Sequence, residues 1–172
     1  RQAMALGTLA NATNSSAFAA GSSARAAGSS AMALGTKAKA TADSSYALGH
    51  ESKASGNNST ALGTNASASS NDAYAVGFFA NASAANALAF GPKANARAIN
   101  SMALGSNATA TALNSFAGGV DSVAQGVNSM ALGAKAYAVQ EGAISYGVFS
   151  QSLGRNTSAF GTNSKANGSD AI

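Results

Sequence analysis

The residues able to do chemistry are few. The chain has one histidine, His50, directly before Glu51, and no cysteine. Its carboxylates stand singly, at Asp43, Glu51, Asp72, Asp121, Glu141 and Asp170. Catalysis needs a nucleophile, a base and an orienting group that converge on one point, and no serine is singled out to complete a triad with His50 and Glu51. A calcium-binding solenoid would repeat aspartates after Gly-Gly pairs, and a phosphate loop would place Lys-Ser/Thr after its glycines; neither pattern occurs. The expectation is a protein that is not an enzyme, with no metal or cofactor and no nucleic-acid partner, and His50 reads as an ordinary surface residue. The basic residues carry more information. Arg25, Lys39 and Lys53 recur at intervals of fourteen, with Lys37 beside them. A row of positive charge suits acidic ligands such as sulfated glycans, and it equally suits a solvated face that keeps the protein soluble. The sequons at Asn11, Asn65, Asn81 and Asn107 are expected by chance in a chain so rich in Asn, Ser and Thr, and receive no role.

The interval of fourteen governs the whole chain. Glycine returns at Gly7, Gly21, Gly35, Gly49, Gly63, Gly77, Gly91, Gly105, Gly119, Gly133, Gly147 and Gly161, with no insertion or deletion. A fixed short period sustained this long means a solenoid, one structural unit stacked on copies of itself. Composition agrees: 172 residues dominated by small types, 9% charged, a formal net charge of +4, one proline and no tryptophan. Low charge and small residues also suit a disordered linker, but a linker does not hold apolar residues at one phase. The chain reads as a single repetitive domain over 1–172. It lacks a signal peptide and a membrane-length apolar run. It also starts and stops within a repeat, so it is expected to be an excerpt of a longer fibre whose stalk and anchor lie elsewhere.

Aligned on their glycines, the repeats show two alternations. The residue two before glycine is alanine except at Ser145, and the residue four before is always small, while those three and one before are mostly bulky. After glycine, the third residue is alanine or serine and the fifth is alanine except at Ser152, with polar residues between. Period-two alternation is the mark of a strand. Each repeat is therefore two short strands, joined by turns at the glycine and at the position five before it, where Ser30, Asn58, Asp72, Asn86, Asn100, Asn114 and Asn128 suit a corner. The fold class is all-β: a parallel β-roll or β-solenoid of about twelve coils, rising roughly 58 Å at about 4.8 Å per coil.

Two sheets back to back, fourteen residues per coil, leave room inside only for small side chains, since interiors pack near solid density. The bulky columns must then face outward: Met4, Leu6, Met32, Leu34, Tyr46, Leu48, Tyr74, Val76, Leu88, Phe90, Met102, Leu104, Met130, Leu132, Ile144 and Tyr146. Such a face far exceeds the few hundred Å² of apolar patch that soluble monomers expose. It is expected to be an interface between sister chains in a parallel homo-oligomer.

The phrases Asn-Ser-Met-Ala-Leu-Gly (Asn100 to Gly105 and Asn128 to Gly133) and Ser-Ser-Tyr-Ala-Leu-Gly (Ser44 to Gly49) resemble the head repeats of trimeric autotransporter adhesins, the YadA-like left-handed parallel β-roll. The resemblance covers essentially the whole chain. It implies a homotrimer at the tip of a surface fibre on a Gram-negative bacterium, held by an outer-membrane anchor outside this segment. It also implies adhesion to extracellular-matrix proteins such as collagen, fibronectin or laminin, or to cell-surface glycans. The number three, the handedness and the biology come from that resemblance.

A second group of candidate ligand-binding residues joins Arg25, Lys37, Lys39 and Lys53. In the polar sheet Val123, Tyr137, Val139 and Leu153 replace hydrophilic residues, and at the corners Phe78, Phe79, Val148 and Phe149 do the same. These form either an outward apolar patch or, for the corner residues, contacts with an adjacent protomer; Ile99, Leu113 and Val127 at another corner carry the same two readings. A fibre segment of phage-fibre type, or a spacer without its own ligand, is the alternative function. An ice-binding solenoid would need an unbroken threonine ladder, and a β-helical acyltransferase a six-residue period.

Overall fold

The computed structural model describes residues 2–171. Among them, strands of three residues run from Met4–Leu6 to Ser158–Phe160 and strands of two residues from Asn11–Ala12 to Lys165–Ala166, in strict alternation. They form two parallel sheets of twelve strands each. Every pairing is offset by one repeat: Met32 faces Tyr46, Ala33 faces Ala47 and Leu34 faces Leu48 in the first sheet, while Lys39 faces Lys53 in the second. The expected all-β parallel solenoid is what the chain forms.

The interior is built as volume dictates. Among the described residues, every buried apolar side chain is an alanine, from Ala17 to Ala166. Serine enters the inner columns where its hydroxyl finds an acceptor, because a buried hydroxyl without a partner costs about 1–3 kcal/mol. Next to a turn, the hydroxyl donates to the carbonyl three residues back: Ser52 to Gly49 at 2.9 Å, Ser59 to Gly56 at 2.6 Å and Ser122 to Gly119 at 2.8 Å. The two residues that break the central alanine columns, Ser145 and Ser152, lie in one neighbourhood. Ser145 Oγ meets Ser150 Oγ at 2.6 Å, Ser152 Oγ bonds Thr157, and Thr157 Oγ1 donates to the Gly154 carbonyl at 2.8 Å. Polar groups enter this core in small sets, each satisfied within itself or by a turn carbonyl. Ser129 departs from the rule, its buried Oγ having no partner.

Both corners are β-turns with a left-handed residue in third place, the form of a type II turn. Ala38 N–H donates to the Gly35 carbonyl at 3.2 Å, and Lys37 between them has φ 57°; Ala31 N–H donates to the Gly28 carbonyl at 3.3 Å, and Ser30 has φ 56°. The position five before glycine is left-handed, as its Asn, Asp and Ser residues suggest. The structure adds a second such position, two after glycine, where Leu9, Lys37, Phe79 and Phe149 all take φ between 55° and 58°. The repeated glycine answers a separate need. At Gly105 φ is +135°, and a Cβ there would lie 2.5 Å from the carbonyl oxygen of Gly119 in the next coil. Glycine is required both by conformation and by the approach of the neighbouring backbone.

Two substitutions test this construction. Gly105→Ala should destabilise by more than about 1 kcal/mol, since a side chain is incompatible with that backbone. Ala103→Leu should cost about 1–3 kcal/mol or more by overpacking. Chemical denaturation measures both; a midpoint left unmoved by Ala103→Leu would mean that the two sheets have room to spare.

Candidate functional site

The outer face of the first sheet is apolar along the stack. Its two columns hold bulky residues on either side of most inward residues, so Met102 and Leu104 flank Ala103, which is fully buried, while Ala20, Thr60, Gly118 and Ser158 interrupt them. All sixteen residues assigned to this face from sequence point outward. Met4, Leu6, Tyr46, Tyr74, Phe90, Met102, Met130 and Tyr146 are exposed; Met32, Leu34, Leu48, Val76, Leu88, Leu104, Leu132 and Ile144 are half-buried against one another. In-register stacking brings like onto like, as where the Tyr146 and Phe160 rings lie 6.4 Å apart. Phe18, Leu62, Phe116 and Phe160 occupy the same columns. They extend the surface beyond the residues named from sequence, and the period itself identifies them.

The outer face of the second sheet is polar and carries the basic row. Arg25, Lys39 and Lys53 pair in register in three successive strands, and all three are exposed. Lys37 stands apart from them, at the corner. Its ammonium bonds Glu51 Oε1 of the next coil at 2.9 Å. That hydrogen bond, together with the Lys37 charge and smaller contributions from His50 and Lys39, holds the Glu51 carboxyl below the usual glutamate range. Between the corner column and the sheet column runs an open groove of about 410 Å³. Lys37, Glu51, Asn65 and Phe79 form one wall, Lys39, Lys53 and Ser67 the other, and the buried Ala66 lies on its floor. Sequence columns identified the row but not the facing wall. Asn65 and Phe79 enter the site because the turn brings its third residue alongside the strand, whereas Ser67 continues the column of the row itself.

The apolar departures on this side are distributed otherwise. Val123 and Tyr137 pair in register within the second sheet, half-buried, and the Tyr137 hydroxyl donates to Gln125 Oε1 at 3.3 Å. Val139 and Leu153 lie one residue past their strands, also half-buried. The corner aromatics find partners within the chain. Phe78 and Phe79 meet edge to face with centroids 4.5 Å apart, and the Lys135 ammonium sits 5.2 Å from the Phe149 centroid. At the opposite corner the asparagines form a hydrogen-bonded ladder, with Asn86 donating to Asn100, Asn100 to Asn114 and Asn114 to Asn128 at 3.0–3.1 Å. His50 is exposed at its corner. Among the described residues, no group of three or more His, Cys, Asp or Glu side chains is placed to hold a metal ion.

Comparison with known proteins bears on this geometry. The chain is similar to the crystal structure of the collagen-binding domain of Yersinia adhesin YadA, at 21% identity and a TM-score of 0.48. That alignment covers 84% of this chain and 65% of the other, so the chain spans about two thirds of that structure's length. No curated protein matches the chain. The family described as the YadA head domain repeat matches residues 26–45, 40–66, 68–94, 96–122, 124–150 and 152–172, its longer matches spanning two coils each. With its period, its strand pairing and those matches all in phase, this chain belongs to the YadA head domain repeat family.

Proposed function

We propose that this chain is the non-enzymatic head of a trimeric adhesin, displayed at the surface of a Gram-negative bacterium and binding extracellular-matrix proteins or cell-surface ligands. The observation that carries the reading is sidedness. One outer face is predominantly apolar along the whole stack, with Thr60 and Ser158 as its polar members, and the other is hydrophilic and studded with repeated side chains. Fully burying a Leu, Met or Phe side chain contributes about 1.5–3 kcal/mol, so a face with two such columns favours association over exposure. Parallel copies related by an axis along the stack present the same columns to one another at every level, which is what a closed symmetric assembly requires. Family membership supports three copies. The apolar columns from Met4 and Leu6 through Ile144 and Tyr146 form the trimer interface, and the hydrophilic sheets form the outer wall.

Adhesion follows from repetition. Side chains at one column recur every coil and again on each protomer, so a fibrous or polymeric ligand meets several equivalent contacts at once. Weak individual contacts then add through effective concentration. Matrix proteins of the collagen, fibronectin or laminin kind are ligands of this extended form. The chain is one repetitive unit of a longer fibre, joined to the cell by an anchor outside it.

The assembly is testable directly. Sedimentation of the purified protein should give a trimer, and Leu34→Asp with Leu48→Asp should give monomer or unfolded chain, because two carboxylates per protomer would be desolvated at the interface. An intact native oligomer from the double variant would remove the interface assignment. Binding to immobilised collagen, fibronectin and laminin tests adhesion. Failure of the native trimer to bind any matrix protein or cell-surface glycan would make the segment a spacer.

A further inference from the structure

We propose that the groove between the Lys37–Glu51–Asn65–Phe79 corner and the Lys39–Lys53 row binds a linear sulfated glycan, with Arg25 extending the row by one coil. The proposal deepens the adhesive reading, because it names a ligand class for the outer wall.

The row is unusual in being left without counterions. In-register stacking holds Arg25, Lys39 and Lys53 about 4.8 Å apart from strand to strand, and like charges directly across strands are unfavourable. Two carboxylates lie in these coils, and neither is paired with the row, although Glu51 on the facing wall feels the Lys39 charge weakly. Glu51 is paired with Lys37, and Asp43 Oδ1 accepts the Ser29 N–H at 2.7 Å at the opposite corner. Among the described residues the ion pairs are Lys37–Glu51 and Arg155–Glu141, so none of the three row cations has an acidic partner. Solubility alone would be served by cations at any exposed position. Yet the same column is uncharged through the next strands, at Ser67, Asn81, Asn95 and Thr109. Three cations are stacked where their mutual repulsion is greatest, an arrangement that a polyanion relieves.

The groove also discriminates among polyanions. It is open and runs along the stack, so it suits an extended chain rather than a compact anion. Two of the three row cations are lysines, compact point charges that take an anionic group in any orientation, so what they favour is the dense, regularly spaced charge of a sulfated chain over the sparser charge of a carboxylated one. The Asn65 amide and Ser67 hydroxyl offer hydrogen bonds to sugar hydroxyls, and the exposed Phe79 ring offers a flat apolar surface to the C–H face of a sugar. A single-stranded nucleic acid would call for an aromatic platform for successive bases, and this groove has one ring.

Heparin, fully desulfated heparin and duplex DNA, each immobilised, are the probes. The proteins are the native assembly, the variant Arg25→Gln/Lys39→Gln/Lys53→Gln, and a control of equal charge loss, Lys135→Gln/Arg155→Gln/Lys165→Gln. All should share one thermal melt and one sedimentation profile. Heparin should bind the native protein in a salt-sensitive manner, and the row variant about tenfold or more weakly, since neutralised cations no longer release counterions. The control should stay within about twofold, its charges lying beyond screening distance of the groove. Phe79→Ser should weaken heparin binding with net charge unchanged. Equal losses in the two triple variants, undiminished binding to desulfated heparin, or DNA held as tightly as heparin would each overturn the proposal. Collagen binding measured alongside separates the readings: collagen bound without heparin sinks the glycan groove alone, and heparin bound without collagen leaves the groove standing while the matrix-protein reading falls.

Discussion

Two sheets joined by corners of a few residues lie so close that methyl and hydroxyl groups fill the space between them, and the other properties of the chain follow from that narrowness. Alanine occupies most of the inner columns from end to end, and serine or threonine enters beside a carbonyl or another hydroxyl, Ser129 excepted. No hydrophobic core of large side chains can form. The bulky residues that would ordinarily build one are turned outward onto a single face, where they line up coil upon coil. A thin solenoid thus exports its hydrophobic burial to whatever lies against it.

The corners show the same economy. Each turn needs a left-handed third residue, and the chain supplies one whether or not the residue type prefers it. Asn65, Asn107, Asp121 and Asn163 suit the position two after glycine, whereas Leu9, Phe79 and Phe149 are forced into it by the fixed period. The strain is local, and the hydrogen bonds of the flanking strands hold it. What such residues offer in exchange is projection. A left-handed corner residue stands beside the outer sheet, and in this way Phe79 and Asn65 come to face the basic row.

The fold was legible because its cause is periodic. Strand phase, inward alanines, outward methionines and leucines and the first set of corners can all be read from columns anchored on Gly35 and its counterparts, without any tertiary information. Three features were not. The clustering of Ser145, Ser150, Ser152 and Thr157 required knowing which inner columns oppose each other across the roll. The second left-handed corner was hidden by residues such as Lys37 and Phe79, whose types give no hint of it; only Asn65, Asn107, Asp121 and Asn163 in the same column carried a signal. The groove was half visible: Arg25, Lys39 and Lys53 declared themselves by spacing, but the wall opposite depends on how the turn folds back. Sidedness could be read from sequence, whereas the number of chains that the proposed interface would join depends on angles between neighbours that no column encodes.

The direction of the backbone ladder has a mechanical consequence. Bonds such as Gly49 N–H to the Leu34 carbonyl and Gly63 N–H to the Leu48 carbonyl, both 2.8 Å, run along the long axis and link each coil to the one before. A tug applied at the two ends acts in line with these rungs, so it peels a terminal coil instead of shearing many strands together. Every coil that lets go pays out roughly 46–50 Å of slack chain in place of one strand spacing. A rod of this design yields by lengthening stepwise from its tips, and the coils still stacked keep their shape under load.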